Sequence, residues 1–234
     1  MSPVPLYKHV YETVIERVVK GELGPGAMLP SEKDLGAELG VSQGTARKAL
    51  TELERKGIVQ RRQGLGTFVA TTTPESALFH FFRLRQSDGS QVVPHLLSET
   101  IKRRRAAKEE RNAIGECGDE VYELERVRSV DGKPVVLETT VLPVNLFPGL
   151  EERMPLPNTL YALFQRSYGI AVVRADEKLR AVIAKAEDAD VLGVEVGAPL
   201  MEAYRRAIDI TDRVVELRSS RYVTDDLHYD ISLR

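Results

Sequence analysis

Two groups of side chains in this sequence have types and spacings suited to binding anions. The first comprises Lys33, then Ser42, Gln43, Thr45 and Arg47, then Arg62-Gln63-Gly64-Leu65-Gly66. An arginine like Arg47 can make paired bonds to guanine O6 and N7, and Gln43 can treat adenine the same way or bind a phosphate. Ser42 and Thr45 add hydroxyls at the start of a helix, where free N–H groups favour phosphate. Lys33 is a candidate phosphate contact. Gly64 and Gly66 let backbone approach a partner closely, with Arg62 and Gln63 beside them. The second group is Arg126 and Arg128, two apart in a strand and therefore on one face. Paired guanidinium groups at that spacing suit a phosphate or carboxylate, or else an ion-pair ladder with Glu123, Glu125 or Glu138. Glu138, Glu216 and Tyr222 could bind hydroxyls. Thr159-Leu160-Tyr161 opens a helix whose first N–H groups also welcome an anion.

The elements around these residues follow from periodicity. Leu6, Val10, Val14 and Val18, widened by Tyr7, Tyr11, Ile15 and Val19, predict a helix from Pro5 to about Lys20. Ser31 caps a second helix with Leu35 and Leu39 inward; Ser42 caps a third with Ala46, Ala49, Leu50 and Leu53 inward. Only Gly40-Val41-Ser42 separates them, as in a helix-turn-helix. Ile58–Arg62 and Thr67–Ala70 read as strands of a basic hairpin. Residues 1–70 form this unit, 71–76 a polar linker with Thr71–Pro74 as its hinge, and 77–234 a second domain. That domain reads as strands over Ala77–Arg85, Gln91–Leu97, Tyr122–Val130, Pro134–Leu142, Val172–Val182, Leu200–Asp209 and Val214–Val223. Helices are expected near Arg104–Ile114, Thr159–Tyr168 and Lys185–Leu192. Asp131-Gly132 marks a hairpin. The class is α+β, with an antiparallel sheet in the second domain.

The chain has 234 residues and a net charge of −2, so bulk charge does not announce a nucleic-acid partner. Its distribution does: residues 42–66 hold six basic side chains against two acidic, +4 in all. A single cysteine, Cys117, excludes an internal disulfide, and no Cys/His cluster has metal spacing. No cofactor or metal is expected. No run is long enough to cross a bilayer, and no basic–apolar leader is present, so a cytoplasmic protein without membrane contact is expected.

Residues 5–70 resemble the DNA-binding domain of the GntR family of bacterial transcription regulators. The resemblance rests on Pro5-Leu6-Tyr7, Gly21-Glu22-Leu23-Gly24-Pro25-Gly26, Leu29-Pro30-Ser31-Glu32, Val41-Ser42, Arg47-Lys48-Ala49-Leu50, Gly57-Ile58-Val59 and Arg61–Val69. The family often places Arg then Thr after Val-Ser, where this chain has Gln43-Gly44. Arg126-Val127-Arg128, Asp131–Val135, Leu137-Glu138-Thr139, Phe147-Pro148-Gly149-Leu150 and Leu160-Tyr161 resemble the UTRA effector-binding domain of the HutC-like subfamily, whose fold is similar to chorismate lyase. The resemblance implies that Arg126 and Arg128 bind the anionic end of an effector, assisted by Thr159 and Tyr161, with Glu138, Glu216 and Tyr222 lining the remainder. It implies a homodimeric repressor that binds double-stranded operator DNA and answers to a phosphosugar or small carboxylate. A lyase-like enzyme is the first alternative, although His80, His95 and His228 are scattered and Cys117 sits between acids. A ligand-independent DNA-binding protein is the second.

Overall fold

The computed structural model describes residues 5–71, 83–115 and 117–231. Helices α1 (Leu6–Val19), α2 (Glu32–Glu38) and α3 (Gln43–Arg55) precede an antiparallel hairpin of β1 (Val59–Arg62) and β2 (Gly66–Val69). Ser31 Oγ accepts the Asp34 N–H, and Ser42 Oγ accepts the Thr45 N–H, each at 3.2 Å, so both expected caps form. The short turn between α2 and α3 depends on Gly36. A Cβ there would lie 2.9 Å from the Val41 carbonyl oxygen. Val10 and Val14 of α1 join Leu35, Ala49, Leu50 and Leu53 in one core. Of the stripe expected on α1, Tyr7, Tyr11, Ile15 and Val18 pack against this core around Val10 and Val14, while the terminal Leu6 and Val19 are exposed.

The second unit is a six-stranded antiparallel sheet. Its strands are β4 (His95–Arg105), β5 (Glu120–Val130), β6 (Lys133–Pro143), β7 (Val172–Ile183), β8 (Pro199–Asp209) and β9 (Val214–Tyr222), in the order β4-β5-β6-β9-β8-β7. Alternation along each strand divides its residues between two faces. One face carries Val121, Val141 and Leu217 and is covered by α4 (Lys108–Ile114); α6 (Ala186–Leu192) packs beside Leu137 and Leu200. On the other face, α5 (Leu160–Tyr168) covers an apolar half containing Tyr122, Leu124 and Leu142. A two-stranded ribbon of β3 (Leu84–Gln86) and β10 (Leu227–Tyr229) covers Val136, Ala203 and Tyr222 at the other end. Arg126, Arg128, Glu138, Arg205 and Arg218 lie between these two covers.

Several expectations shift. The strand expected at Gln91–Leu97 begins only at His95 and runs on to Arg105, and the helix expected from Arg104 begins at Lys108. Backbone pairing with β5 runs from His95 to Arg105 and carries the strand past the expected helix start. Lys102 and Arg104 on this edge strand add cross-strand ion pairs, both reaching Glu123 of β5 at 2.6 Å. The strand expected over Ala77–Arg85 is seen only as β3, its earlier part lying outside the described residues, as do Thr72, Thr73 and Pro74 of the expected hinge. The ribbon strand β10 was not expected.

The two units touch through the turn between β8 and β9. Ile210 at its tip is buried in the core built by α1, α2 and α3, with Ala171 and Val173 beside it. Asp209 holds this turn rigid: its carboxylate accepts the Thr211 N–H (2.8 Å), the Thr211 hydroxyl (2.7 Å), the Arg213 N–H (3.0 Å) and the Arg213 guanidinium (2.8 Å). Gln165 of α5 donates to the Ala70 carbonyl at 3.5 Å.

Candidate functional site

The amino-terminal unit presents a groove of about 670 Å³ between the first turn of α2, the start of α3 and the β1–β2 tip. Lys33, Gln43, Arg62, Gln63, Gly64 and Gly66 line it and are exposed, so the fold gathers six of the nine expected DNA-binding residues around one concave face. Ser42 and Thr45 sit at the adjacent helix start with their hydroxyls 2.9 Å apart; they close the cap first and offer only their remaining hydrogen-bonding capacity outward. Arg47 is exposed on the second turn of α3, its Nε 2.8 Å from Glu32 Oε2. Arg62 stacks on Phe68, the guanidinium 4.6 Å from the ring centroid, which fixes it beside the tip. Gly64 has φ +74 and Gly66 φ +125, backbone that side chains disfavour, so the tip stays small enough to approach a duplex closely.

The positive charge counted in the sequence is less available than it looks. Arg61 is turned back onto α3, bonding Glu54 at 2.8 Å and Thr51 at 3.1 Å. Arg55 pairs with Glu52, and Lys56 with Asp212. Among the described residues, Lys33 and Arg62 form no ion pair and Arg47 forms one.

In the second unit, Arg126 and Arg128 are fully buried on the face predicted by their spacing. Arg126 binds Glu99 Oε2 through Nε (3.0 Å) and NH2 (2.8 Å), and donates to the Pro157 carbonyl at 3.0 Å. Arg128 binds Glu138 at 2.7 Å and the Asn158 carbonyl at 3.1 Å, and also engages the Asn158 side chain. Glu123 and Glu125, considered as ladder partners, lie on the opposite face; of the three only Glu138 pairs with this couple. From Glu138 the chain of contacts continues to Arg218 (3.5 Å), Glu216 (3.0 Å from Arg218) and the Tyr161 hydroxyl (3.0 Å from Glu216). Arg205 lies 3.4 Å from that hydroxyl and 2.6 Å from Glu177, which also meets Tyr229 of the ribbon. Thr159 is the buried residue that precedes α5, and its side chain makes no capping bond; Tyr222 is buried beside Tyr229.

Arg126, Arg128, Glu138, Glu216 and Tyr222 therefore share one buried face of the sheet, Tyr161 of α5 reaches it through Glu216, and Thr159 is buried next to Asn158, a partner of Arg128. Sequence reasoning missed Glu99, Asn158, Glu177, Arg205, Arg218 and Tyr229. Period-two alternation from Glu216 and Tyr222 would have found Arg218, whereas Glu99 depended on placing β4 correctly. Burial alone would raise Glu138, but Arg128 and Arg218 outweigh it and hold its carboxyl at about 2. Burial and the neighbouring Glu216 push Tyr161 up to about 12. Burial and Arg128 press Arg126 below its ordinary value. Such a site can hold an anion or several hydroxyls. Cys117 offers no nucleophile, since burial, helped by Glu110, raises its thiol.

Comparison with known proteins places both units. Residues 6–69 match the model of bacterial regulatory proteins of the gntR family, and residues 90–228 match the UTRA domain. The chain is 30% identical over 209 residues to the HTH-type transcriptional repressor NagR of Bacillus subtilis, spanning 86% of this chain and 83% of NagR. It is 29% identical over 207 residues to a histidine utilization repressor of Pseudomonas putida, spanning 88% and 83%. Among solved structures, PhnF from Mycobacterium smegmatis is 29% identical with a TM-score of 0.56, covering 96% of this chain and 99% of that one. The grooved helix-turn-helix, the covered antiparallel sheet and these matches agree. The chain belongs to the GntR family, in its HutC-like group, as a DNA-binding transcriptional regulator whose UTRA domain answers to a small molecule.

Proposed function

We propose that this regulator is a cytoplasmic, homodimeric repressor released from its operator by a small hydroxylated anion, a phosphosugar or a small carboxylate, bound between α5 and the sheet. One observation carries the reading: two buried guanidiniums rest partly on the neutral carbonyls of Pro157 and Asn158, just ahead of α5. A phosphate or carboxylate is a stronger acceptor than a carbonyl and would displace that segment. Arg126 and Arg128 then take the charge, Thr159 and the first N–H groups of α5 assist, and Tyr161, Glu138, Glu216 and Tyr222 meet the hydroxyls. Residues 1–70 act as the reading head and 77–234 as the sensor, joined by a linker over 71–76.

In the reading head, Lys33, Ser42, Thr45 and Gly66 serve phosphates, and Gln43, Arg47, Arg62, Gln63 and Gly64 face bases or the adjacent backbone. Two heads related by two-fold symmetry read two half-sites. The coupling arises because α5 touches the effector site at its start and Ala70 through Gln165. An effector that favours one position of α5 thereby favours one placement of the heads. The test is a thermal-shift series with glucose 6-phosphate, glucosamine 6-phosphate, inorganic phosphate and small carboxylates, followed by operator-release titrations. A saturating ligand raises the apparent stability by mass action. A panel in which no anion shifts melting or releases DNA rejects the anionic effector.

A further inference from the structure

The Glu32 carboxylate stands on the DNA-facing side of the reading head, where a negative charge opposes phosphate. It is not idle. Oε2 lies 2.8 Å from Arg47 Nε, and Oε1 lies 3.4 Å from Arg61 NH2. Arg61 is already anchored by Glu54 and Thr51, so it holds Glu32 from behind while Glu32 holds Arg47. Arg47 has two hydrogen-bonding edges, one through Nε and one through its two terminal nitrogens. Glu32 occupies the first. The terminal pair makes no bond among the described residues and belongs to a side chain that is 63% exposed. That terminal fork is one that can bind guanine O6 and N7 together.

We infer that Glu32 is a specificity-determining residue: it orients Arg47 so that its free fork reads a base, and it keeps that guanidinium from settling on phosphates. The inference rests on Arg47 contacting bases. It has an unusual sign. A residue that merely braces the fold weakens all DNA binding when removed. Removing Glu32 instead deletes a charge that repels DNA and frees a cation to bind phosphate, so random-sequence binding strengthens while discrimination falls. This is preorganisation of one side chain for one partner.

The experiment uses the full chain. An operator is selected from a random duplex pool, and its single-base-pair variants and an unrelated duplex are titrated across salt concentrations with wild type, E32Q, E32A and R47A. In E32Q and E32A, discrimination at the base pair lost in R47A is expected to fall about tenfold. Affinity for unrelated duplex is expected to hold or rise, with a salt slope steeper by about one unit. Unchanged discrimination in E32Q overturns the inference, as does a parallel loss of specific and non-specific affinity with a lowered Tm. If E32A does not fold, E32Q decides. Should R47A leave every base preference unchanged, the reading of Arg47 fails first and the inference with it.

Discussion

Lys56, at the end of α3, places its Nζ 3.1 Å from Asp212 Oδ2 in the β8–β9 turn, so the helix that carries Arg47 is tied at its far end to the sensor sheet. Asp212 is mostly exposed in this pair, whereas Ile210 two residues earlier is buried in the reading head's core. The apolar contact must dominate. Asp212→Asn, which removes the charge but suits the positive φ of +63 at this position, should cost under about 1 kcal/mol, as exposed ion pairs do. Ile210→Ala should cost about 2 kcal/mol or more. Urea unfolding of both variants measures the ratio; equal effects would mean that the turn is held by charge. In Ile210→Asp, two separate unfolding transitions should replace a shared one.

Arg128→Ala should abolish inducer release while keeping operator binding. It should also destabilise the sensor by about 3 kcal/mol, because Glu138 loses a buried partner. The double variant Arg128→Ala/Glu138→Gln should recover much of that stability but not the inducer response. If both return together, Arg128 acts structurally and not as an effector ligand.

Acid should reveal the same network. Glu138 is held at about 2 against an ordinary value of 4.5. A carboxyl with a depressed value stabilises the fold fully above the ordinary value, and that contribution is lost as pH falls from 4.5 toward 2. The amount is on the order of 3 kcal/mol. In Glu138→Gln the dependence of unfolding free energy on pH should flatten across this interval. Curves parallel to wild type would show that other carboxyls govern acid unfolding.

Two glycines of the helix-turn-helix should respond to alanine with opposite sign. At Gly44 a Cβ meets nothing closer than Ser42 Oγ at 3.8 Å, so Gly44→Ala should stabilise by about 0.5–1 kcal/mol through helix propensity. At Gly36 the Cβ would press on backbone at 2.9 Å, so Gly36→Ala should destabilise and widen the turn. Denaturant midpoints and operator affinity check both.

The reading head was legible because its signals are local. Ser31, Ser42 and Gly57 punctuate helices whose inner residues recur at helical spacing, and the chain needs only nearby contacts to follow them. Arg126 and Arg128 were legible for a similar reason, since alternation within one strand assigns a face. What escaped is long-range. Nothing near Glu99 shows that it will meet Arg126, 27 positions away. The extended form of Ser98–Arg105 comes from its ladder with β5, a partner more than fifteen positions away for most of its length, which its own basic composition does not announce. Arg61 counts toward the positive charge of residues 42–66 in the sequence, yet Glu54 and Thr51 claim it, a competition visible only once α3 and β1 are packed.

The β3–β10 ribbon bears on how the protein is made. Leu84, just after the linker region, pairs with Tyr229, so the ribbon cannot zip until residue 229 has left the ribosome. Until then the reading head and the six-stranded sheet can form, but Val136, Ala203 and Tyr222 lack their cover. A fusion that delays or crowds that last strand should therefore yield a product that still grips promoters but ignores its inducer.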